Sequence, residues 1–182
     1  MTGDVLILSG PPAAGKTTVA RLLASSAPKP TVHLETDQFF RAIRTGFVLP
    51  YLPEAEPQNK VVLTAVVDAV AAFTSGGYDV IVEGIIGPWF LPRFSPLAAL
   101  RIDYVVLLPS LEATLARADT RAASHLRDPG PITGLHGAFP RDAHTIDTTG
   151  QEPSLTASHV REGLASTRFR LPAPQLSAEV AE

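Results

Sequence analysis

Gly10-Pro11-Pro12-Ala13-Ala14-Gly15-Lys16-Thr17-Thr18 is the stretch that decides the fold. It follows the pattern glycine, four residues, Gly-Lys-Thr, which cradles phosphate oxygens in backbone amides. Upstream, Val5, Leu6, Ile7 and Leu8 form a short apolar run that predicts a buried strand. Downstream, Thr17 to Ser26 carries Val19, Ala20, Leu22 and Leu23 at helical spacing. A strand that turns through glycines into a helix leaves the first helical N–H groups unpaired and facing the turn. Together with the positive end of the helix dipole they make an anion site. Lys16 is placed to reach the terminal phosphates of a nucleotide, and the Thr17 hydroxyl to take one Mg²⁺ position. All of Gly10 to Thr18 is therefore the candidate nucleotide-binding set. A glycine-rich turn that binds nothing needs neither the Gly-Lys-Thr ending nor these flanks.

Working outward, 182 residues suffice for one domain with a central sheet covered on both faces. A net charge of −3 and a pI near 5.9 give no electrostatic footprint for duplex nucleic acid. Cysteine is absent, which excludes disulfides and thiolate metal sites. Met1-Thr2-Gly3-Asp4 leads straight into the first strand, without a basic and apolar leader. The longest apolar stretch, Val61 to Phe73, is interrupted by Thr64 and Asp68 and is too short to span a bilayer. The expectation is a soluble, cytoplasmic protein without a membrane partner. No pattern in the sequence bears on oligomeric state.

Further strands are predicted at Thr31–Glu35, Tyr78–Glu83, Asp103–Leu108 and Ala143–Asp147. Helices are predicted at Asp37–Arg44, with Thr36 as its cap, and at Pro57–Ser75. In the latter Val61, Val62, Ala65, Val66, Ala69, Val70 and Phe73 recur at threes and fours, and Gly76-Gly77 stops it. Ser110 caps a helix running to about Ala123, and Leu155–Leu164 is the last. Residues 84–96 read as a loop with at most a short helix. Ser124 to Pro140 holds three prolines and three glycines and reads as a loop, a lid over about 124–140. The domain covers 1–170, and the Pro/Ala-rich segment 171–182 is expected to be a flexible tail. Strands alternating with helices imply an α/β, three-layer, mostly parallel five-stranded sheet. Ligands of such sheets bind at the carboxyl ends of the strands. That rule selects the 10–18 loop, Asp37, Glu83 and Thr148 to Gly150.

From Asp4 to Leu164 the element order resembles the small phosphate-loop kinases that phosphorylate hydroxyl groups. These include chloramphenicol phosphotransferase, gluconate kinase, shikimate kinase and the kinase domain of polynucleotide kinases. The chain is more distantly similar to nucleoside monophosphate kinases. The 10–18 loop carries the likeness, with support from Asp37 and the arginines of the 110–123 helix. Ala13 stands where adenylate kinases usually have glycine, and no Asn-Lys-x-Asp guanine-reading motif is present. The resemblance implies a P-loop NTPase fold of the nucleoside-monophosphate-kinase type, ATP and Mg²⁺ as cofactors, and a small-molecule hydroxyl as acceptor. Other readings are a nucleotide or polynucleotide 5′-hydroxyl kinase, a kinase of a sugar nucleotide like the zeta toxins, or an ATP-binding switch without transfer.

The resemblance also assigns roles. Lys16 and Asp37 are catalytic, with Asp37 contacting the acceptor hydroxyl, although an aspartate in a first helical turn also suits a cap. Glu83 stands where a carboxylate touches the metal's water shell, or is simply a solvated strand-end acid. Arg117 and Arg121 share a helix face and would neutralise the transferring phosphoryl group, with Arg127 a further candidate. Alternatively they pair at the surface with Asp119 or Glu112. Thr148-Thr149-Gly150 falls where the family packs adenine, and equally suits an ordinary turn. Phe39, Phe40, Arg41, Arg44, Tyr51, Trp89 and Phe90 are candidates for the acceptor pocket. His33 reads as structural, and His125 and His136 show no zinc pattern.

Overall fold

The computed structural model describes residues 2–120 and 128–176. Five strands form one sheet: β1 Val5–Ser9, β2 Thr31–Glu35, β3 Asp79–Glu83, β4 Ile102–Leu107 and β5 Thr145–Ile146. Their spatial order is β2-β3-β1-β4-β5, and every pairing is parallel. The helices are α1 Lys16–Ser25, α2 Thr36–Ala42, α3 Glu56–Ser75, α4 Leu111–Asp119, α5 Pro129–Ala138, α6 Pro153–Ala165 and α7 Ala173–Leu176. Short 3₁₀ helices occupy Pro53–Ala55 and Pro88–Leu97.

Alternation along the strands sorts side chains into two cores. Val5 and Ile7 of β1, Val80 and Val82 of β3, and Tyr104 and Val106 of β4 face α3 and the Pro88–Leu97 segment. Leu6, Leu8, Ile81, Val105 and Leu107 face α1 and α6 through Ala20, Leu23 and Val160. This gives the three layers expected from the sequence. The central strands are buried throughout, whereas the edge strand β2 is only half-buried along its length.

Five sequence expectations are revised. The stretch predicted as an irregular lid contains α5, ten residues long and capped by Asp128, whose side chain accepts the Gly130 N–H at 2.9 Å. Ile132 is buried under it. Gly130, Gly134 and Gly137 lower its intrinsic propensity, so tertiary burial decides the matter. Residues 121–127, which include the candidates Arg121 and Arg127 and also His125, lie outside the described residues. Second, the Pro-rich 84–96 loop is largely helical. Leu91, Phe94 and Leu97 recur every three residues, the period of a 3₁₀ turn, and all are buried.

Third, Leu171 and Leu176 are buried in the first core, and the Leu171 N–H donates to the Ile102 carbonyl at 2.9 Å. Residues 171–176 therefore pack against the domain, and residues 177–182 of the expected tail lie outside the described residues. Asp103, itself buried, holds this return through Arg101 at 3.0 Å and Arg170 at 3.4 Å. Fourth, the buried stripe of α3 is Val62, Leu63, Val66, Val67, Val70 and Thr74, while Val61 and Phe73 are exposed. Fifth, Thr36 is the first residue of α2 rather than its cap, and Glu35 precedes it. Among the described residues no helix is long and apolar enough to cross a membrane.

Candidate active site

The loop after β1 occupies the centre of the sheet at its carboxyl edge. Gly10 has φ +143, and a Cβ there would lie 2.2 Å from the Leu107 carbonyl oxygen of the neighbouring strand. Gly15, the residue before α1, has φ +95, and a Cβ there would meet nothing within 4 Å. The two glycines thus serve different needs, one backbone packing and one open approach over the helix start. Gly10→Ala is expected to cost about 3 kcal/mol or more through the clash. Gly15→Ala should cost only about 1–2 kcal/mol of left-handed strain. Thermal melting of both variants measures that difference, and equal losses would contradict it. Ala13 also sits at φ +60, an unusual place for a side chain, so the loop stores strain where glycine is common.

α1 begins with no side-chain cap and no acid in its first turn. By contrast, Ser110 caps α4 by accepting the Ala113 N–H at 3.2 Å. The first turn of α1 and the positive end of its dipole therefore face the 10–15 loop. Lys16 Nζ donates to the Pro11 carbonyl at 2.9 Å and so folds over the loop. The Thr17 hydroxyl donates to Glu83 Oε1 at 2.7 Å. Glu83 ends β3 and is 5% exposed. A hydroxyl and a carboxylate, both hard oxygen donors, suit Mg²⁺ held with several waters. With the open space over Gly15, these residues fit a triphosphate and its cation.

The segment behind the loop is fixed. Ser9 Oγ donates to the Ile86 carbonyl at 2.8 Å and accepts the Ile86 N–H at 3.0 Å. The Tyr104 hydroxyl donates to the same carbonyl at 2.9 Å, and burial pushes its phenol well above the ordinary value, so it stays a donor. The start of the β3 loop is thereby pinned beside Glu83.

Asp37 lies exposed in the first turn of α2, at the same edge of the sheet as the 10–18 loop. β2 is separated from β1 by β3, so at roughly 4.8 Å per strand Asp37 stands about 10 Å to one side of the loop. Phe39 packs partly against the first core, whereas Arg41 is largely exposed and donates from Nε to the Asp37 carbonyl at 3.2 Å. Across from α2, Gln58 holds both the N–H and the carbonyl of Val48, at 2.8 and 2.7 Å, and Asn59 Nδ2 donates to the Pro50 carbonyl at 2.8 Å. These bonds fasten the 46–52 loop, with half-buried Tyr51, onto α3. Trp89 is 40% exposed and stacks at 5.7 Å from Phe139 at the end of α5 and 6.0 Å from Phe90.

On the opposite side lie β4, β5 and their loops. Arg117 donates to the Thr148 carbonyl at 3.0 Å, so it is tied to the 147–150 turn. The predicted surface pairs with Asp119 or Glu112 are not among its described ion pairs. Thr149 Oγ1 donates to Asp147 at 2.6 Å and accepts the Ser110 N–H at 2.7 Å. The Thr149 hydroxyl, and next its backbone N–H, hold the Asp147 carboxyl below the usual range. A depressed carboxylate contributes stability above its unfolded value near 4 and loses it as pH falls through the folded value. Asp147 is exposed, so the contribution stays under about 1 kcal/mol. Thr149→Val is expected to return the Asp147 carboxyl toward about 4 in an NMR titration. An unchanged titration would show that the hydroxyl is not responsible. His136 Nε2 meets the Pro109 carbonyl at 2.8 Å and fastens α5 to the turn before α4.

The structure thus brings Lys16, Thr17 and Glu83 into one cluster, sets Asp37 to one side and Arg117 to the other. Sequence reasoning missed Glu35, which is level with Glu83 in the β2–β3 register. The signal was its alternation with His33 on an edge strand.

Solved structures share this architecture. A gluconokinase from Sinorhizobium meliloti 1021 superposes with a TM-score of 0.65 at 16% identity, over 92% of this chain and 94% of that one. A shikimate kinase from Acinetobacter baumannii, solved in complex with shikimate, gives 0.60 at 21% identity, over 91% and 95%. A chain of the Pnkp1/Rnl/Hen1 RNA repair complex gives 0.60 at 18% identity, over 100% of this chain and 50% of that one. Identities this low establish the fold, that of the P-loop kinases. No curated protein matches the sequence significantly. Residues 3–165 match a family described as chloramphenicol phosphotransferase-like protein. With the loop, the sheet order and the match in agreement, this chain belongs to the chloramphenicol phosphotransferase-like protein family.

Proposed function

We propose that this protein is an ATP- and Mg²⁺-dependent kinase that phosphorylates a hydroxyl group of a small molecule such as an antibiotic, a sugar or a related metabolite. The observation that carries the reading is the cluster of Lys16, Thr17 and Glu83 at the start of an uncapped helix, with Thr17 Oγ1 2.7 Å from the Glu83 carboxylate. Family membership supports phosphotransfer as the class of reaction.

Residues 10–18 hold the phosphates through backbone N–H groups, and Lys16 exchanges the Pro11 carbonyl for phosphate oxygens. Thr17 and, through water, Glu83 hold the cation. Bound Mg²⁺ supplies neutralisation of charge on the terminal phosphates. Asp37 accepts a hydrogen bond from the acceptor hydroxyl and aims its oxygen at the γ-phosphorus. As that oxygen bonds to phosphorus and the bond to ADP breaks, the hydroxyl proton passes to Asp37 or to water. Asp37 acts chiefly by orienting the acceptor hydroxyl. Arg117, held by the Thr148 carbonyl, adds positive charge from the α4 side, and Arg121 is the second arginine assigned to this role. The α2 region, the 46–52 loop and Trp89 line the acceptor side. Residues 128–140, with α5, close over the nucleotide and exclude water as a competing acceptor.

A panel of hydroxyl compounds assayed for acceptor-dependent ADP release tests the reading. It should include antibiotics, sugars, nucleosides and oligonucleotides with a 5′-hydroxyl. Release that depends on a small non-nucleotide acceptor is expected. Release only with oligonucleotides would move the protein to the 5′-hydroxyl kinases. Nucleotide binding without any release would make it a switch.

A further inference from the structure

His33, Glu35 and Glu83 each offer one ligand atom, and these atoms all lie within 4.8 Å of one another. The placement follows from the sheet. His33 and Glu35 are two apart on the edge strand β2 and so share a face, and Glu35 is directly level with Glu83 of β3. That face is the one on which Ile81 packs toward α1, so the trio sits beside the start of α1. His33 Nε2 is buried and has no hydrogen-bond partner among the described residues. A buried ring nitrogen without a partner is uncommon, and it calls for a group that the protein itself does not supply. Glu83 Oε1 accepts the Thr17 hydroxyl at 2.7 Å, and among the described residues the Glu35 carboxylate has a long ion pair, 3.9 Å, to the exposed Arg41.

We infer that His33, Glu35 and Glu83 form a binding site for a divalent transition-metal cation, distinct from the nucleotide's Mg²⁺ position but sharing Glu83 with it. The imidazole decides the class. An all-oxygen set suits Mg²⁺ or Ca²⁺, whereas a histidine nitrogen with two carboxylates suits Zn²⁺, Mn²⁺, Fe²⁺ or Co²⁺. Three protein ligands leave a position for water. Ligand atoms about 2.1 Å from one ion stand no more than about 4.2 Å apart, so a contraction of about half an ångström completes the site. On the flexible carboxylates this is a rotamer adjustment. The Thr17 hydroxyl bonded to Glu83 then stands behind a ligand carboxylate and fixes its orientation. Because Glu83 serves both places, occupancy here is linked to nucleotide binding, each changing the affinity of the other by the same factor.

The inference does not require kinase activity, and its test uses the metal alone. The full chain is titrated with ZnCl₂ in a non-chelating buffer without nucleotide, by calorimetry, and its melting is followed with and without zinc. The site predicts one equivalent of Zn²⁺ and a zinc-dependent rise in melting temperature. His33→Asn should weaken binding by at least about 30-fold and Glu35→Gln by about tenfold, while His159→Asn changes it less than about twofold. Glu35→Gln alters a half-buried group on an edge strand and keeps the comparison valid if His33→Asn does not fold. No zinc-dependent heat or melting shift at 1 mM, on the order of the weakest useful site, would overturn the site. So would His33→Asn and Glu35→Gln that bind zinc as the unaltered chain does.

Discussion

Lys16→Ala is expected to abolish transfer and most nucleotide binding, with kcat/KM for ATP falling by at least about 10³. The ammonium is the one side-chain charge of the loop itself, and its reach is set by the loop's own geometry, 2.9 Å from the Pro11 carbonyl. Loss of a charge-assisted contact to phosphate costs about 1.5–3 kcal/mol in the ground state. The transition state, with more charge on the terminal oxygens, loses more. The fold does not suffer. A lysine at the first position of α1 opposes the positive end of the helix dipole, so alanine leaves melting unchanged or slightly higher. Calorimetry with a non-hydrolysable ATP analogue and a melting curve on the same sample separate the two effects. A variant that binds the analogue as the unaltered chain does would remove Lys16 from the site.

Asp37→Ala gives the complementary result. Nucleotide affinity stays within about threefold, while the rate of acceptor phosphorylation falls by about 10²–10⁴. The contrast follows from place. Asp37 is two strand positions from the phosphate loop and exposed on α2, which on the proposed reading puts it on the acceptor side rather than against the nucleotide. Its loss from the first turn of α2 costs the fold only about 0.3–1 kcal/mol. Asp37→Asn keeps the shape and a hydrogen-bonding oxygen while removing the charge. It should recover part of the rate if orientation dominates and almost none if proton transfer does. An Asp37→Ala protein that turns over acceptor at the full rate would refute the role.

The contrast between these two variants reflects what could be read before any coordinates. The three central strands were legible, because Val5–Leu8, Val80–Val82 and Tyr104–Leu107 are apolar runs that a doubly covered parallel sheet requires. The loop was legible because a Gly-Lys-Thr sequence between strand and helix has few other uses. α5 was not, since three glycines and two prolines within Pro129–Ala138 hide a helix that exists by virtue of the burial of Ile132. The burial of Leu171 and Leu176 depends on a return path to β4 that no local pattern encodes. The stripe of α3 was placed one position off, because valines and alanines surround that helix and only packing chooses among them. At the site, Arg117's tie to the Thr148 carbonyl and the approach of Glu35 and His33 to Glu83 are contacts between distant segments. Residue identity suggested the candidates, and the register of β2 on β3 decided who met whom.

The measurement that bears most directly on the account is a crystal structure of the chain with Mg²⁺ and a non-hydrolysable ATP analogue. The account predicts the β- and γ-phosphates inside residues 10–18, Lys16 Nζ moved from the Pro11 carbonyl to phosphate oxygens, and the Thr17 hydroxyl turned from Glu83 to the cation. Saturating analogue with the loop empty, and Lys16 still bonded to Pro11, would contradict it.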